Sequence, residues 1–375
     1  MKEYIIDRVR QTMEENADIR HKGGIIAIPW LDLPRFSIEI PGIQRGRYQV
    51  ITANSKVGKT KMGEFLFMFQ PLKWLKQNPT TNIKPKIFYF SLEMSKEDKV
   101  NDALCHYIYQ NEKKIYTTNK LLSAYKNGYL NKSDFEIVDR NIPDVKFLED
   151  HVTFIDNIKN PFGIYKVMED YAESNGDYVY KDMPFKNNTT GKYEIRQVKD
   201  YYIPRNPTEL VIVLVDHLSL LTPERGGTKH EAMSMFSSSY ALKMRDLWKY
   251  NIAVIQQQAA DSEKPQYTQN GQLIIQKLKP SADGLGDNKL IGRDCDMMLG
   301  LFDPNRYGTR EYHEYDIRTM GDHYRELSII LNRRGSGNKS VDLFFNGAVG
   351  QFVEIPKADD PTMKNVYTHI KQLPT

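Results

Sequence analysis

The stretch Ala53-Asn54-Ser55-Lys56-Val57-Gly58-Lys59-Thr60 carries the chemistry around which this chain is organised. It follows the spacing G-x-x-x-x-G-K-[ST], with Ala53 in the first glycine position. In that pattern the amides of Ser55 to Lys59 would wrap a phosphate at the positive end of a helix. Lys59 would reach the β- and γ-phosphates of a nucleotide, and the Thr60 hydroxyl would ligate Mg²⁺. The Ala53 methyl must fit where a tight turn usually has no side chain. The plain alternative is a Gly-Lys-Thr turn met by chance. The flanks argue against it, because Tyr48-Gln49-Val50-Ile51 reads as a buried strand and Met62 to Phe69 as the start of a helix.

Three further positions have the chemistry such a loop needs. Lys86 to Phe90 reads as a buried strand, with Glu93 just beyond it in Ser91-Leu92-Glu93-Met94-Ser95. An acid at the carboxyl end of a core strand sits on the ligand side of a parallel sheet, which makes Glu93 a candidate general base for an attacking water. Spacing alone equally allows Glu93 to be the first-turn acid of a helix capped by Ser91 or Ser95. Leu210 to Leu221 is the most apolar stretch and contains Asp216, placed to hold Mg²⁺ through water. Asn251 to Ile255 reads as another strand, followed by Gln256-Gln257-Gln258. An amide there can reach a γ-phosphate or the attacking water, and alternation from Val254 favours Gln258.

Composition sets wide bounds. The chain has 375 residues, a net charge of +4 and a pI near 8.6. Such a balance permits an acidic partner without demanding one, so any nucleic-acid site must be a local cluster. Lys277, Lys279, Lys289 and Arg293 form the best candidate. Cys105 and Cys295 are far apart in sequence and read as reduced thiols, which with the absence of a signal peptide or membrane span suggests a cytoplasmic protein.

The supporting elements follow in order. Residues 1–22 read as an amphipathic helix with Ile5, Ile6, Val9 and Met13 on one face, suited to docking on a neighbouring subunit. A turn is expected at Asn127-Gly128. Residues 156–208 read as an insertion, with an exposed hairpin or loop rich in Tyr, Lys and Asn. Its alternating basic and aromatic residues would suit single-stranded nucleic acid, although interspersed acids favour an ordinary solvated insertion. Ser340 to Phe345 and Gln351 to Ile355 read as a closing hairpin around Asn346-Gly347. Residues 356–375 read as a polar, partly disordered tail.

Taken in order, these pieces resemble the RecA-like ATPase domain of DnaB-type replicative helicases, most closely the phage-encoded members. ANSKVGKT is similar to the Walker A segment, YFSLEMS to the strand with the catalytic glutamate, and VLVDHLSLL to Walker B with His217 where a tyrosine is usual. AVIQQQ is similar to the strand carrying the γ-phosphate-sensing glutamine. SADGLGDNKLIGRDCDMML resembles the DNA-facing loop and the strand after it, and IILNRRGSG the late strand whose arginine reaches the next subunit. Either Arg333 or Arg334 would be that finger.

The resemblance implies an α/β fold over residues 23–355, with a mainly parallel central sheet flanked by helices and a C-terminal β-hairpin. It implies ATP and Mg²⁺ as cofactors. It also implies a homo-oligomeric ring, expected as a hexamer, that moves on single-stranded DNA and works with a primase or loader, in the cytoplasm of an infected bacterial host. The loops 222–231 and 277–292 would line the pore. The alternatives are a filament-forming RecA-like recombination or repair ATPase, and a nucleotide-switched loader module. Two features depart from the family pattern. The helix 1–22 stands where an amino-terminal helical domain that contacts primase is usual, and the connection 156–208 is longer than usual.

Overall fold

The computed structural model describes residues 4–124 and 128–373. The Asn127 half of the turn expected at Asn127-Gly128 therefore lies outside the described residues. Among the described residues there are thirteen strands: β1 (Arg47–Ala53), β2 (Lys84–Ser91), β3 (Val152–Ile155), β4 (Gly176–Lys186), β5 (Tyr193–Pro204), β6 (Glu209–Asp216), β7 (Asn251–Gln257), β8 (Met297–Phe302), β9 (Glu311–Tyr312), β10 (Tyr315–Asp316), β11 (Tyr324–Asn332), β12 (Ser340–Asn346) and β13 (Gln351–Glu354).

Nine of them form one sheet in the order β13-β12-β11-β8-β1-β7-β6-β2-β3. The run from β8 to β3 is parallel, and β11, β12 and β13 add an antiparallel meander on the β8 side. The central strands are apolar on both faces because helices cover both sides, as parallel sheets require. On β1, Ile51 and Ala53 face Met62, Phe65 and Leu66 of the helix after the phosphate loop. Tyr48 and Val50 face the other layer, with Ile164, Met168, Phe236 and Met244. The chain leaves β1 for β2 at one side and later returns to lay β8 on the other. The carboxyl end of β1 is thus the point where strand order reverses and where open α/β sheets bind ligands.

Two expectations change, the extent of the insertion and the character of the tail. The helix Pro161–Asn175 belongs to the core through Ile164, Tyr165, Met168 and Ala172. Within 156–208 it is the antiparallel pair β4–β5 that stands apart from the main sheet, so the exposed insertion is narrower than expected. It is anchored at its base, where Trp248 Nε1 donates to Tyr178 Oη (2.9 Å) and Tyr202 Oη donates to the Ala172 carbonyl (3.1 Å). The segment 356–373, expected as a partly disordered tail, carries regular structure. A helix, Met363–Gln372, packs Met363 and Ile370 against Phe344 and Ile355, because its apolar residues recur on one face despite a polar composition.

The amino-terminal helix forms over Ile5–His21 and buries none of its residues. Ile5, Ile6, Val9 and Met13 all lie in solvent. Arg8 lies 3.9 Å from Asp200 of the β4–β5 hairpin. Both cysteines are buried and free. Among the described residues no helix is long and apolar enough to cross a membrane.

Candidate nucleotide site

The phosphate loop joins the end of β1 to the helix that begins at Lys59. Ala53 is fully buried and still a ladder residue, opposite Gln257 and Leu301. Its methyl group packs in the core, so alanine replaces the first glycine without strain. Gly58 has no such latitude. Its φ of 106° is left-handed, and a Cβ there would come 2.9 Å from the Phe345 ring.

Several side chains brace the loop. Arg325 Nε donates to the Val57 carbonyl (2.8 Å), while its guanidinium pairs with Asp303 (3.3 Å) and covers the Phe345 ring. Arg306 donates to the Ser55 carbonyl. Asn54 Nδ2 donates to Tyr307 Oη (2.8 Å) and to the Leu278 carbonyl (3.3 Å). Glu263 accepts from the Ser55 amide (2.8 Å).

The Thr60 hydroxyl donates to Asp216 Oδ1 (3.1 Å), joining the loop to the end of β6. A hydroxyl beside a carboxylate is the oxygen donor set that suits Mg²⁺. Asp216 is itself buried. Its other oxygen, Oδ2, lies 3.4 Å from Lys99 Nζ and 3.3 Å from Tyr89 Oη. Both of these also reach Glu64 Oε1, at 2.8 and 3.0 Å. Burial alone would raise the Glu64 carboxyl, but Lys99 and Lys61 outweigh it and hold the group at about 2. Burial would likewise lower Lys99, yet Glu64 and Asp216 hold its ammonium above the usual lysine range.

Glu93 is exposed at the carboxyl edge of the sheet. Ser91 pairs with Asp216, and the Leu92 amide donates to the Asp216 carbonyl (2.8 Å), extending the β2–β6 ladder by one step. Glu93 and His217 are therefore the first residues beyond that ladder on the adjacent strands β2 and β6. The competing reading of Glu93 as a helix acid is excluded by the local geometry. Ser95 is the N-cap of the helix Lys96–Glu112, and the first-turn acids are Glu97 and Asp98. Burial pushes the His217 imidazole below its ordinary value. The charges of Asp216 and Glu93 oppose that shift and Lys59 assists it, so these four groups share one electrostatic neighbourhood.

Gln258 is a correction. Its buried amide donates to Thr52 Oγ1 (2.8 Å) and the Ser281 carbonyl (3.0 Å) and accepts from the Ser281 amide (3.3 Å). Its side chain is engaged in fastening the 281–284 turn to Thr52, and its backbone amide donates to the Ala53 carbonyl (3.0 Å) at the base of the loop. Gln256 pairs with Ser219. Gln257 is half-buried, opposite Ala53 at the strand end, on the face of Ala253 and Ile255 that also carries the phosphate-loop helix. Alternation along β7 puts Gln257 with Ala253 and Ile255 and Gln256 with Val254, and it is the Ala253 face that carries the phosphate-loop helix.

The four basic residues do not form one cluster. Lys277 is exposed beside Leu278, whose carbonyl bonds Asn54, so it lies near the phosphate loop. Lys279 is spent on Glu326 (2.6 Å), which is fully buried. Lys289 and Arg293 are exposed on the helix Lys289–Asp294, with Asp283 3.6 Å from Lys289 and Asp294 3.8 Å from Arg293. The helix starts beside Asp283, in the turn that Gln258 holds, and leads through Cys295 to Asp296. The Asp296 amide donates to the Tyr48 carbonyl, so Arg293 lies toward the opposite edge of the sheet from the loop.

Arg333 and Arg334 also lie at that opposite edge. The Arg333 amide donates to the Asp296 carbonyl (2.9 Å), and the Asp296 amide donates to that of Tyr48, near the start of β1 (2.7 Å). The strand between spans about 20 Å. Neither arginine serves the phosphate loop of its own chain. The Arg333 guanidinium is tied to the Arg293 carbonyl, whereas the Arg334 charge lies near Arg47.

Motif spacing does not reveal the roles of Lys99, Glu64 and Tyr89, nor those of Glu263, Arg306 and Arg325. One signal is present: Lys99 occupies the buried stripe Lys99, Ala103, His106 of its helix, an interior position for a lysine.

No family model and no curated protein sequence matches the chain. Solved structures do. The ATPase domain of a phage helicase matches with a TM-score of 0.66 at 16% identity, covering 95% of this chain and 100% of that one. A DnaB-like replicative helicase, solved for its interactions with primase, matches with a TM-score of 0.64 at 16% identity, covering 95% of this chain and 69% of that one. These matches show the fold: a mainly parallel central sheet flanked by helices, like that of RecA-like ATPase domains.

Proposed function

We propose that the chain is an ATP hydrolase of the helicase type, which couples turnover to movement on single-stranded DNA and to duplex unwinding. The observation that carries this reading is the contact of Thr60 with Asp216 beside Glu93, at the strand-order reversal of the sheet. The likeness of fold to the phage helicase ATPase domain and the DnaB-like helicase supports it.

In this reading the amides from Ser55 to Lys59 hold the β-phosphate, and Lys59 bridges the β- and γ-phosphates. Thr60 and Asp216 would hold Mg²⁺, Asp216 through water; when bound, the ion neutralises charge on the phosphate oxygens. Glu93 orients the attacking water and accepts its proton. Gln257, rather than Gln258, reaches the γ-phosphoryl group. An arginine of the next subunit, Arg334 in preference to the tethered Arg333, stabilises transition-state charge. Placement of these arginines far from their own loop supports a ring in which each site is completed in trans, a hexamer by analogy of fold. The exposed stripe of Ile5, Ile6, Val9 and Met13 supports docking of the amino-terminal helix on a neighbouring subunit. Lys277, Lys289 and Arg293 are the proposed DNA contacts, and Lys279 drops out. Primase or loader coupling and a cytoplasmic setting in an infected host follow from the likeness alone.

Electron microscopy of the full chain with an ATP analogue and single-stranded DNA tests the assembly. Closed rings are expected; continuous filaments would replace this reading with a strand-pairing ATPase.

A further inference from the structure

The two oxygens of Asp216 have different partners. Oδ1 accepts from Thr60, on the side of the phosphate loop, and Oδ2 faces inward to Lys99 and Tyr89. The Lys99 side chain is 1% exposed, and its ammonium is shared between Asp216 and Glu64, both equally hidden. A buried lysine is costly unless its charge and hydrogen bonds are met. Glu64 lies one helical turn beyond Thr60 on the same helix, so it presents its carboxylate along the same face. The helix that follows Glu93 delivers Lys99 to this point.

From this arrangement we infer that Lys99, held by Glu64 and joined by Tyr89, is a positioning residue for the metal site. It anchors Oδ2 of Asp216 and so fixes Oδ1 toward Thr60 and the incoming cation. Lys99 touches neither nucleotide nor metal; it acts through Asp216. A carboxylate free to rotate would meet the metal's water shell in several orientations, and preorganisation removes that loss. The inference rests on the ATPase reading above, since it assigns Mg²⁺ to Thr60 and Asp216.

The test is the effect of Mg²⁺ on nucleotide binding, read without turnover. Binding of a fluorescent ADP analogue to the full chain is measured in excess Mg²⁺ and in EDTA, and the ratio of the two dissociation constants reports the metal's coupling. The double variant Glu64→Gln/Lys99→Met removes the Glu64–Lys99 charge pair together and leaves Tyr89 as the inward partner of Asp216 Oδ2. It is expected to lower that ratio about fivefold or more, while binding in EDTA stays within about twofold of wild type. Tyr89→Phe keeps the ring and deletes one hydroxyl; it is expected to lower the ratio about twofold. If the double variant does not fold, as judged by circular dichroism, Tyr89→Phe decides. An unchanged ratio in a folded variant overturns the inference, with the ATPase reading intact. A wild-type chain that binds no nucleotide overturns both.

Discussion

The carboxylate of Glu263 accepts a hydrogen bond from the Ser55 amide at 2.8 Å, within the loop whose amides would hold phosphate. Arg306 braces the same residue from its carbonyl side and sits 3.5 Å from Glu263. An acid of the chain thus occupies a loop amide, and an incoming nucleotide must meet or displace it. Glu263→Gln removes the charge and keeps the shape. Its KM for ATP is expected to fall about threefold, the size of effect usual for one partly exposed charge. Steady-state kinetics would show an unchanged or raised KM if Glu263 were part of the bound state.

The placement of Arg333 and Arg334 predicts complementation. Lys59→Ala and Arg334→Ala should each be nearly inactive alone, since removal of a trans arginine costs about 10³-fold or more in turnover. Mixed before assembly, the two proteins should regain hydrolysis, because some interfaces then pair an intact loop with an intact arginine. Arg333→Ala should lose less than Arg334→Ala, its guanidinium being engaged by the Arg293 carbonyl. Absence of any recovery on mixing would place Arg334 outside the neighbouring site.

Lys279 and Lys277 should separate by phenotype. Lys279 neutralises the fully buried Glu326, which also accepts from Tyr312 Oη at 2.7 Å. Lys279→Ala should therefore destabilise the fold by about 3 kcal/mol in chemical denaturation. Lys277→Ala should leave stability unchanged and reduce the salt dependence of single-strand binding by about 0.7 in log–log slope. Equal stability of the two variants would contradict the assignment of Lys279.

Much of the site is legible in the sequence because its motifs are local. The phosphate loop, Glu93 and Asp216 each declare themselves within a few residues of a strand end, and the sheet brings those ends together. What is not legible depends on distance or on a single residue of register. The Glu64–Lys99 pair and the Glu263–Ser55 contact join positions 35 and 208 residues apart. Three consecutive glutamines look alike until it is known which face of β7 carries the phosphate-loop helix, and the Gln258 side chain is held by Thr52 and Ser281. Lys277, Lys279, Lys289 and Arg293 are neighbours in sequence, but the chain between them crosses from one edge of the sheet to the other. The last helix reads as polar by composition, although Met363 and Ile370 fall on one buried face.

His106 gives a pH dependence with a definite sign. It is buried, stacks on Phe69 at 3.8 Å and has Nδ1 2.9 Å from the Val349 carbonyl. Burial, beyond what that hydrogen bond restores, lowers its value to about 4. The unfolded chain takes up this proton near pH 6.5 and the folded chain only near 4. Stability from this group is therefore complete above about pH 6.5 and falls as pH drops toward 4, by up to about 3 kcal/mol. His106→Asn should be less stable at pH 7 but show a shallower loss between about pH 7 and 5 in thermal melts. An equal slope in both proteins would contradict the burial of a neutral imidazole.

The central claim is that this site hydrolyses ATP to drive movement on DNA. Steady-state ATP hydrolysis, with and without single-stranded DNA, tests it most directly, with Glu93→Gln as the matched control. The expected result is hydrolysis strongly stimulated by DNA, reduced by about 10²-fold or more in Glu93→Gln while nucleotide binding is retained. Hydrolysis that ignores DNA, or that survives in Glu93→Gln, would contradict the account.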